Sequence, residues 1–252
     1  MDFRLTEAQE LLVHTARDFF QQHCPTTLVQ QLALDQRGFP DALWHQISAL
    51  GWPGLLIPTT LEGSDGSFLD VILLIEEMGR ACFPSPYIQS AVVVTSLLLT
   101  AGSCSQQERF LPAMARGERI GTLALTEASA DFAPETIALQ GDVGGRLNGS
   151  KLFVKDAHVA DHLLVVVRGN GGVNLVLVER DQPGVTLLPL EVMSGEKLFE
   201  VVLHEVPVRE DMLLGPAGQG WEYLAPVLQR GALARCAEMV GCAQRILNTP
   251  RL

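Results

Sequence analysis

Between positions 5 and 22 the apolar residues Leu5, Ala8, Leu12, Ala16 and Phe19 recur at three- and four-residue steps, with Leu11, Thr15 and Phe20 widening the stripe. That spacing predicts an amphipathic helix. Thr6 followed three residues later by Gln9 has the form of a capping box, and Pro25 marks a stop. A second helix is predicted over 40–50, with Leu43, Trp44, Ile47 and Leu50 on one face and Gly51 as its terminator. After the polar loop at 62–67, residues 68–80 form a strongly apolar helical segment with Glu76 and Glu77 near its end. Adjacent residues do not share a helix face, so these two carboxylates are expected at the surface or in a capping role. Pro84 and Pro86 interrupt the chain. A buried helix follows over 88–100, stopped at Gly102, and Ser105 with Glu108 is expected to open a short helix ending near Gly117. About five successive helices make an all-α segment.

The period then changes from helical to alternating. Short runs rich in β-branched residues at 120–126, 136–140, 163–168, 174–179, 185–190 and 198–205 predict strands. Leu147-Asn148-Gly149-Ser150 has the form of an Asn-Gly hairpin turn. Residues 169–172 and 181–184 punctuate the strands, and short strands at this spacing predict an antiparallel barrel or sandwich. Residues 215–220 read as a connector and 221–247 as a helix, with Pro226 near its first turns, where proline is better tolerated. The fold class expected is α+β: a helical domain over 1–118, a β-rich domain over 119–214, and a linker with one helix over 215–252.

Composition narrows the task of such a protein. Of 252 residues, 47% are hydrophobic, which is ample for a buried core and argues against disorder. The net charge of -11 argues against nucleic-acid binding and against a membrane-surface role. A phosphate-bearing ligand would need a locally basic site on this acidic surface. The longest clearly apolar run, 92–99, is far too short to span a bilayer. Asp2, Arg4, Glu7 and Glu10 interrupt any signal sequence, so a cytoplasmic location is expected. Cys24, Cys82, Cys104, Cys236 and Cys242 form no Cys-x-x-Cys pair, and are expected as reduced, buried thiols. His158 and His162 stand four apart, a metal-binding spacing only on a helix, whereas they lie in a loop leading into a strand.

Three stretches carry candidate chemistry. The first is Leu123-Ala124-Leu125-Thr126-Glu127 at the end of a strand, where backbone groups and a hydroxyl are available to a polar ring edge. The second is 148–155, Asn-Gly-Ser-Lys-Leu-Phe-Val-Lys, followed by 157–161. The third is Leu228-Gln229-Arg230, continued through Val240-Gly241-Cys242-Ala243-Gln244-Arg245. In this order, between a helical segment and a final helix, they resemble the acyl-CoA dehydrogenase flavoenzymes. The resemblance covers the first two domains of that family and the start of its third.

The resemblance implies FAD as cofactor and an acyl-CoA as substrate. Leu123, Leu125, Thr126 and Glu127 would lie along the flavin edge, and Phe153, with Val154 and Lys155, would pack near the ring. Lys155 stands where the family has a Thr, a departure; a cation there serves an anionic reduced flavin or, as for most strand lysines, points to solvent. Phe132 stands where the family has a Ser that contacts both flavin and the thioester side. Arg230 matches an Arg near the substrate. Gln229 precedes it, where some members carry a Glu as base; other members carry the base on later helices. The implied reaction is α,β-dehydrogenation, in which a carboxylate removes the α-proton and the β-hydrogen leaves as hydride. No catalytic base is assigned in this sequence, so the chain is expected not to complete that cycle alone. The alternative implied is a non-catalytic FAD- and acyl-CoA-binding subunit that pairs with a base-bearing dehydrogenase chain in a homo- or hetero-oligomer. A third reading is a product whose last helix lacks its bundle partners.

Overall fold

The computed structural model describes residues 4–248. Its helices are α1 (Glu7–His23), α2 (Thr26–Leu34), α3 (Asp41–Ala49), α4 (Phe68–Arg80), α5 (Thr95–Ala101), α6 (Cys104–Ala115) and the 29-residue α7 (Gly220–Asn248). The capping box of α1 forms as the sequence dictates, with the Thr6 hydroxyl accepting from Gln9 N–H and the Gln9 side-chain oxygen accepting from Thr6 N–H. Three helical details depart from expectation. Pro25 both ends α1 and opens α2, a nine-residue helix not predicted from the sequence, none of whose residues is fully buried. The box of α6 is Ser103 with Gln106, two residues before the Ser105–Glu108 pair, because Gly102 breaks the preceding helix right there. Residues Ile88–Val94 adopt a π-turn that runs into α5, with the Thr95 hydroxyl donating to the Ser90 carbonyl, five residues back.

Seven strands follow: β1 (Gly121–Ala124), β2 (Arg146–Lys155), β3 (His162–Gly169), β4 (Gly172–Glu179), β5 (Val185–Leu190), β6 (Leu198–Pro207) and the short β7 (Leu213–Leu214). They form two sheets, one ordered β1-β3-β4-β7 and the other β2-β6-β5. Every pairing is antiparallel except β1 with β3. Leu163, Val165, Val167, Val176 and Val178 of the first sheet share one apolar core with Leu147, Val154, Val201, Leu203 and Val206 of the second, as in a sandwich.

Two expectations in the β region are corrected. Residues 136–140 are not a strand: Pro134–Thr136 is a single 3₁₀ turn, and Gln140 makes one isolated bridge to Arg168. The amides of Ala138 and Leu139 are satisfied by the Glu127 carboxylate, not by a neighbouring strand. With that strand gone, Asn148-Gly149 is no hairpin turn. It lies inside β2, where the Asn148 side chain pairs with Glu205 of β6 through both its amide ends and the register slips at Gly149.

The helical and β layers meet through α7, which packs across α4 backbone to backbone. A Cβ placed on Gly241 would lie 1.9 Å from the Glu76 carbonyl oxygen, and one on Gly79 would lie 2.1 Å from that of Glu238. Glu77, expected at the surface, is instead buried between α1 and α4, where Arg17 and Arg80 both pair with it at 2.7 and 3.0 Å. Two guanidinium partners make the burial of a carboxylate tolerable. Gly241→Ala is expected to force α7 off α4 and cost roughly 3 kcal/mol, the scale of core overpacking against backbone; urea unfolding of the variant measures it, and an unchanged midpoint would contradict the packing.

Candidate functional site

The end of β1 and the end of β2 approach each other beside α7. The Leu152 N–H donates to the Thr126 carbonyl at 2.8 Å, closing the gap between the two strands. Between Lys151 and Val154 the β2–β6 register breaks into a bulge, and Phe153 there takes a left-handed backbone (φ 56°). A bulge re-aims a side chain, and about half of the Phe153 surface is left exposed while Val154 turns into the sandwich core. The resulting cleft, about 390 Å³, is lined by Leu123, Leu125, Thr126, Phe132, Phe153 and Lys155, with Gln89, Ala130, Leu152 and Leu228 completing its wall. Its size falls within the range usual for small-molecule pockets. The π-turn contributes the anchor of β1 on this side, since the Ser90 hydroxyl accepts from Gly121 N–H at 3.2 Å.

The residue that sequence reasoning missed is Lys151. It is fully buried, and its ammonium donates to Glu127 Oε1 at 2.5 Å and to the Leu125 carbonyl at 3.1 Å. Glu127 therefore does not line the cleft; it stands behind it, holding Lys151 on one side and the amides of Ala138 and Leu139 on the other. Burial by itself would raise the Glu127 carboxyl, but the Lys151 hydrogen bond and the two amides outweigh it, and the group titrates below the ordinary carboxylate range. Burial lowers the Lys151 ammonium from its usual value, opposed by the Glu127 contact. The only signal in the sequence was a lysine set directly before the apolar run Leu152-Phe153-Val154.

Lys155 is not a solvated strand lysine. It lines the cleft, with most of its side chain buried, and pairs with Glu196 at 2.5 Å. Gln229 and Arg230 lie on the exposed side of α7, Arg230 over the Phe68 ring at 5.7 Å, and the residue of that stretch that reaches the cleft is Leu228. The thiols are less buried than expected: Cys24 is buried, Cys242 partly so, and Cys82, Cys104 and Cys236 are exposed. His158 faces the Arg37 carbonyl at 2.6 Å, and His162 packs edge-on against Phe110.

Residues 6–118 match the family model "Acyl-CoA dehydrogenase, N-terminal domain" and residues 122–206 match "Acyl-CoA dehydrogenase, middle domain". The chain belongs to the acyl-CoA dehydrogenase family. It is 27% identical over its whole length to a short-chain specific acyl-CoA dehydrogenase of Clostridium acetobutylicum, covering 69% of that protein. Over 83% of its length it is 33% identical to benzylmalonyl-CoA dehydrogenase of Aromatoleum aromaticum, covering 55% of it. Among solved structures, butyryl-CoA dehydrogenase from Megasphaera elsdenii superposes on 98% of the chain with a TM-score of 0.85 at 27% identity, the match covering 68% of that protein. The chain thus spans about two thirds or less of the length of these relatives. Among the described residues, no helix is long and apolar enough to cross a membrane.

Two outcomes are expected of variants here. Lys151→Met leaves the half-buried Glu127 carboxylate without its ammonium and is expected to destabilise the fold by roughly 3 kcal/mol; adding Glu127→Gln recovers part of that loss, and a melting series of the two variants and their combination reads the coupling. Asp156, just beyond β2, is buried with one carboxylate oxygen unpartnered. Burial pushes its carboxyl up to about 7, against the pull of Lys155 and Arg235 and reinforced by the nearby charges of Glu196 and Glu238. Its folded value lies above the unfolded one, so the folded state holds the extra proton between about 4 and 7 and stability falls as pH rises through that window. Asp156→Asn is expected to match the parent near pH 4 and exceed it by a few kcal/mol at pH 8, on the order of 1.4 kcal/mol for each pH unit of that window; equal unfolding midpoints at pH 8 would rule this out.

Proposed function

We propose that this chain forms the flavin- and acyl-CoA-binding walls of an FAD-dependent acyl-CoA dehydrogenase. The observation that carries the reading is the cleft in which the half-exposed Phe153 ring, set by the β2 bulge, faces the Thr126 strand end. The residues present fit a flavin. Thr126 offers an amide N–H and a hydroxyl that take no partner among the described residues. Both are neutral donors suited to a polar ring edge. Phe153 gives an aromatic surface for ring packing. Leu123, Leu125, Leu152 and Leu228 keep water from the face of the ring.

A bound flavin would supply the acceptor for the hydride that leaves the β-carbon. The chain's own residues orient that acceptor: Thr126 holds its edge, Phe153 fixes its plane, and Lys155 places a cation, steadied by Glu196, against the same wall. A cation there favours a flavin that has gained negative charge. Phe132 adds an apolar side where a small hydroxyl residue would have offered a hydrogen bond, which selects for an acyl group that needs no such contact. Gln229 and Arg230 on α7 are proposed to meet the acyl-CoA as it crosses that helix.

Removal of the α-proton needs a base, and among the described residues lining the cleft there is neither a carboxylate nor a histidine. A second reading has the base reach the cleft from a partner dehydrogenase chain in a hetero-oligomer. The domain division proposed is 1–118, 119–214 and 215–252, and the location proposed is cytoplasmic.

The visible spectrum of the purified chain, with and without added FAD, tests the reading. A resolved flavin band that survives gel filtration is expected. Phe153→Ala is expected to weaken FAD binding about tenfold, ~1.4 kcal/mol. A chain that stays colourless with excess FAD, alone and with a co-purifying dehydrogenase, would overturn it. With flavin bound, turnover of acyl-CoA only in the presence of a base-bearing partner selects the subunit reading over the single-chain one.

A further inference from the structure

The end of α4 and the second half of α7 carry two thiols that the flavin cleft does not use. Cys82 lies two residues past α4 in a left-handed conformation (φ 51°), and its N–H donates to the Gly79 carbonyl at 2.9 Å. The Cys242 thiol, on α7, donates to that same carbonyl oxygen at 3.0 Å. Two donors on one atom, the Cys82 N–H and the Cys242 thiol, bring the two residues to the same side of the α4 end. Both side chains line a cavity of about 630 Å³ bounded by α2, the 82–85 turn, the 194–197 turn and α7. The helices that carry them cannot drift apart, because Gly79 and Gly241 set α4 and α7 in backbone contact one residue from Cys242 and three from Cys82. Cys82 is open to solvent and Cys242 partly so. A third thiol, Cys24, is buried beneath, its sulfur 3.9 Å from the Ala81 carbonyl.

We propose that Cys82 and Cys242 are a redox pair, a modification site that takes a peroxide as oxidant and closes to a disulfide joining α4 to α7. The Cys82 thiolate attacks one peroxide oxygen, the O–O bond breaks, and a sulfenic acid forms with release of hydroxide. The Cys242 sulfur then attacks the Cys82 sulfur. The S–S bond forms, the S–O bond breaks, and the hydroxyl leaves with the Cys242 proton as water. Two thiols lose two electrons and two protons; one hydrogen peroxide becomes two waters. The order follows from access: Cys82 is exposed, whereas burial pushes the Cys242 thiol up to about 11, so it resists direct oxidation and acts after Cys82 has reacted. The closed bond would link residues far apart in sequence, a long loop whose closure restricts the unfolded chain strongly.

The test treats the full chain with a few equivalents of hydrogen peroxide, alkylates the remaining thiols and maps the peptides under non-reducing conditions. Expected is a loss of two hydrogens in mass, a crosslinked peptide pair holding Cys82 and Cys242, and reversal by dithiothreitol. The oxidised chain should melt on the order of 5–10 °C higher than the reduced one. Cys24→Ser should keep the crosslink, and Cys242→Ser should leave a Cys82 sulfenic acid that dimedone traps, with no gain in Tm. Recovery of Cys82 and Cys242 both alkylated after peroxide treatment would overturn the pairing. So would a crosslink between Cys82 and Cys24.

Discussion

A lysine with no exposed surface stands behind the turn at the end of β1, and the cleft depends on it. Lys151 reaches out of β2 to hold the Leu125 carbonyl and the Glu127 carboxylate together. Glu127 in turn satisfies two amides of the 138–139 segment that no strand serves. One ion pair thereby joins three stretches of chain: the turn that follows β1, the strand β2 that carries Phe153, and the 138–139 segment. A charge pair out of water is costly unless every remaining donor and acceptor is met, and here the carboxylate meets the ammonium and two N–H groups. The pair is therefore a geometric constraint first. It fixes where the Thr126 backbone stops relative to where the bulge projects Phe153.

The second constraint is the close crossing of α4 and α7. Glycines on both helices let the backbones touch, so α7 lies against the helical layer and still presents Leu228 to the cleft nearer its N-terminal end. The π-turn at 88–94 acts in the same direction from the other side. Within it the Ser90 hydroxyl anchors Gly121 at the start of β1, while the Thr95 hydroxyl takes the Ser90 carbonyl. Both layers are thus pinned to the sheet close to the cleft, and a ligand there would meet groups from all of them. Family membership rests on the matched domains, and the dehydrogenase reading rests on how these groups converge.

Much of this was legible in the residues. The helices over 7–23, 41–49 and 68–80 follow from apolar stripes that packing on one face requires, and β3 to β6 from runs of β-branched residues bounded by turns. The stretches around Thr126 and Phe153 were singled out from their order and identity, and the structure brings them to one cleft. The misreadings share a cause. The 136–140 run and the Asn148-Gly149 pair have the form of a strand and its hairpin, but their partners are distant residues: the Glu127 carboxylate takes the amides of Ala138 and Leu139, and Glu205 of β6 pairs with the Asn148 side chain. Glu77 and Lys155 looked solvated because a charged residue alone is; their partners Arg17 and Glu196 lie 60 and 41 residues away.

The sequence alone determined the class of most elements and the order of the layers, which follow from periodicity, and the family, whose resemblance rests on local motifs that need no distant partner. Only the tertiary structure decided which side of each element faces the cleft, that Leu228 and not its neighbours reaches it, and that a buried lysine organises it. Those outcomes depend on contacts between residues far apart in the chain, and on a bulge and a π-turn whose one-residue offsets leave no trace in a hydrophobic pattern.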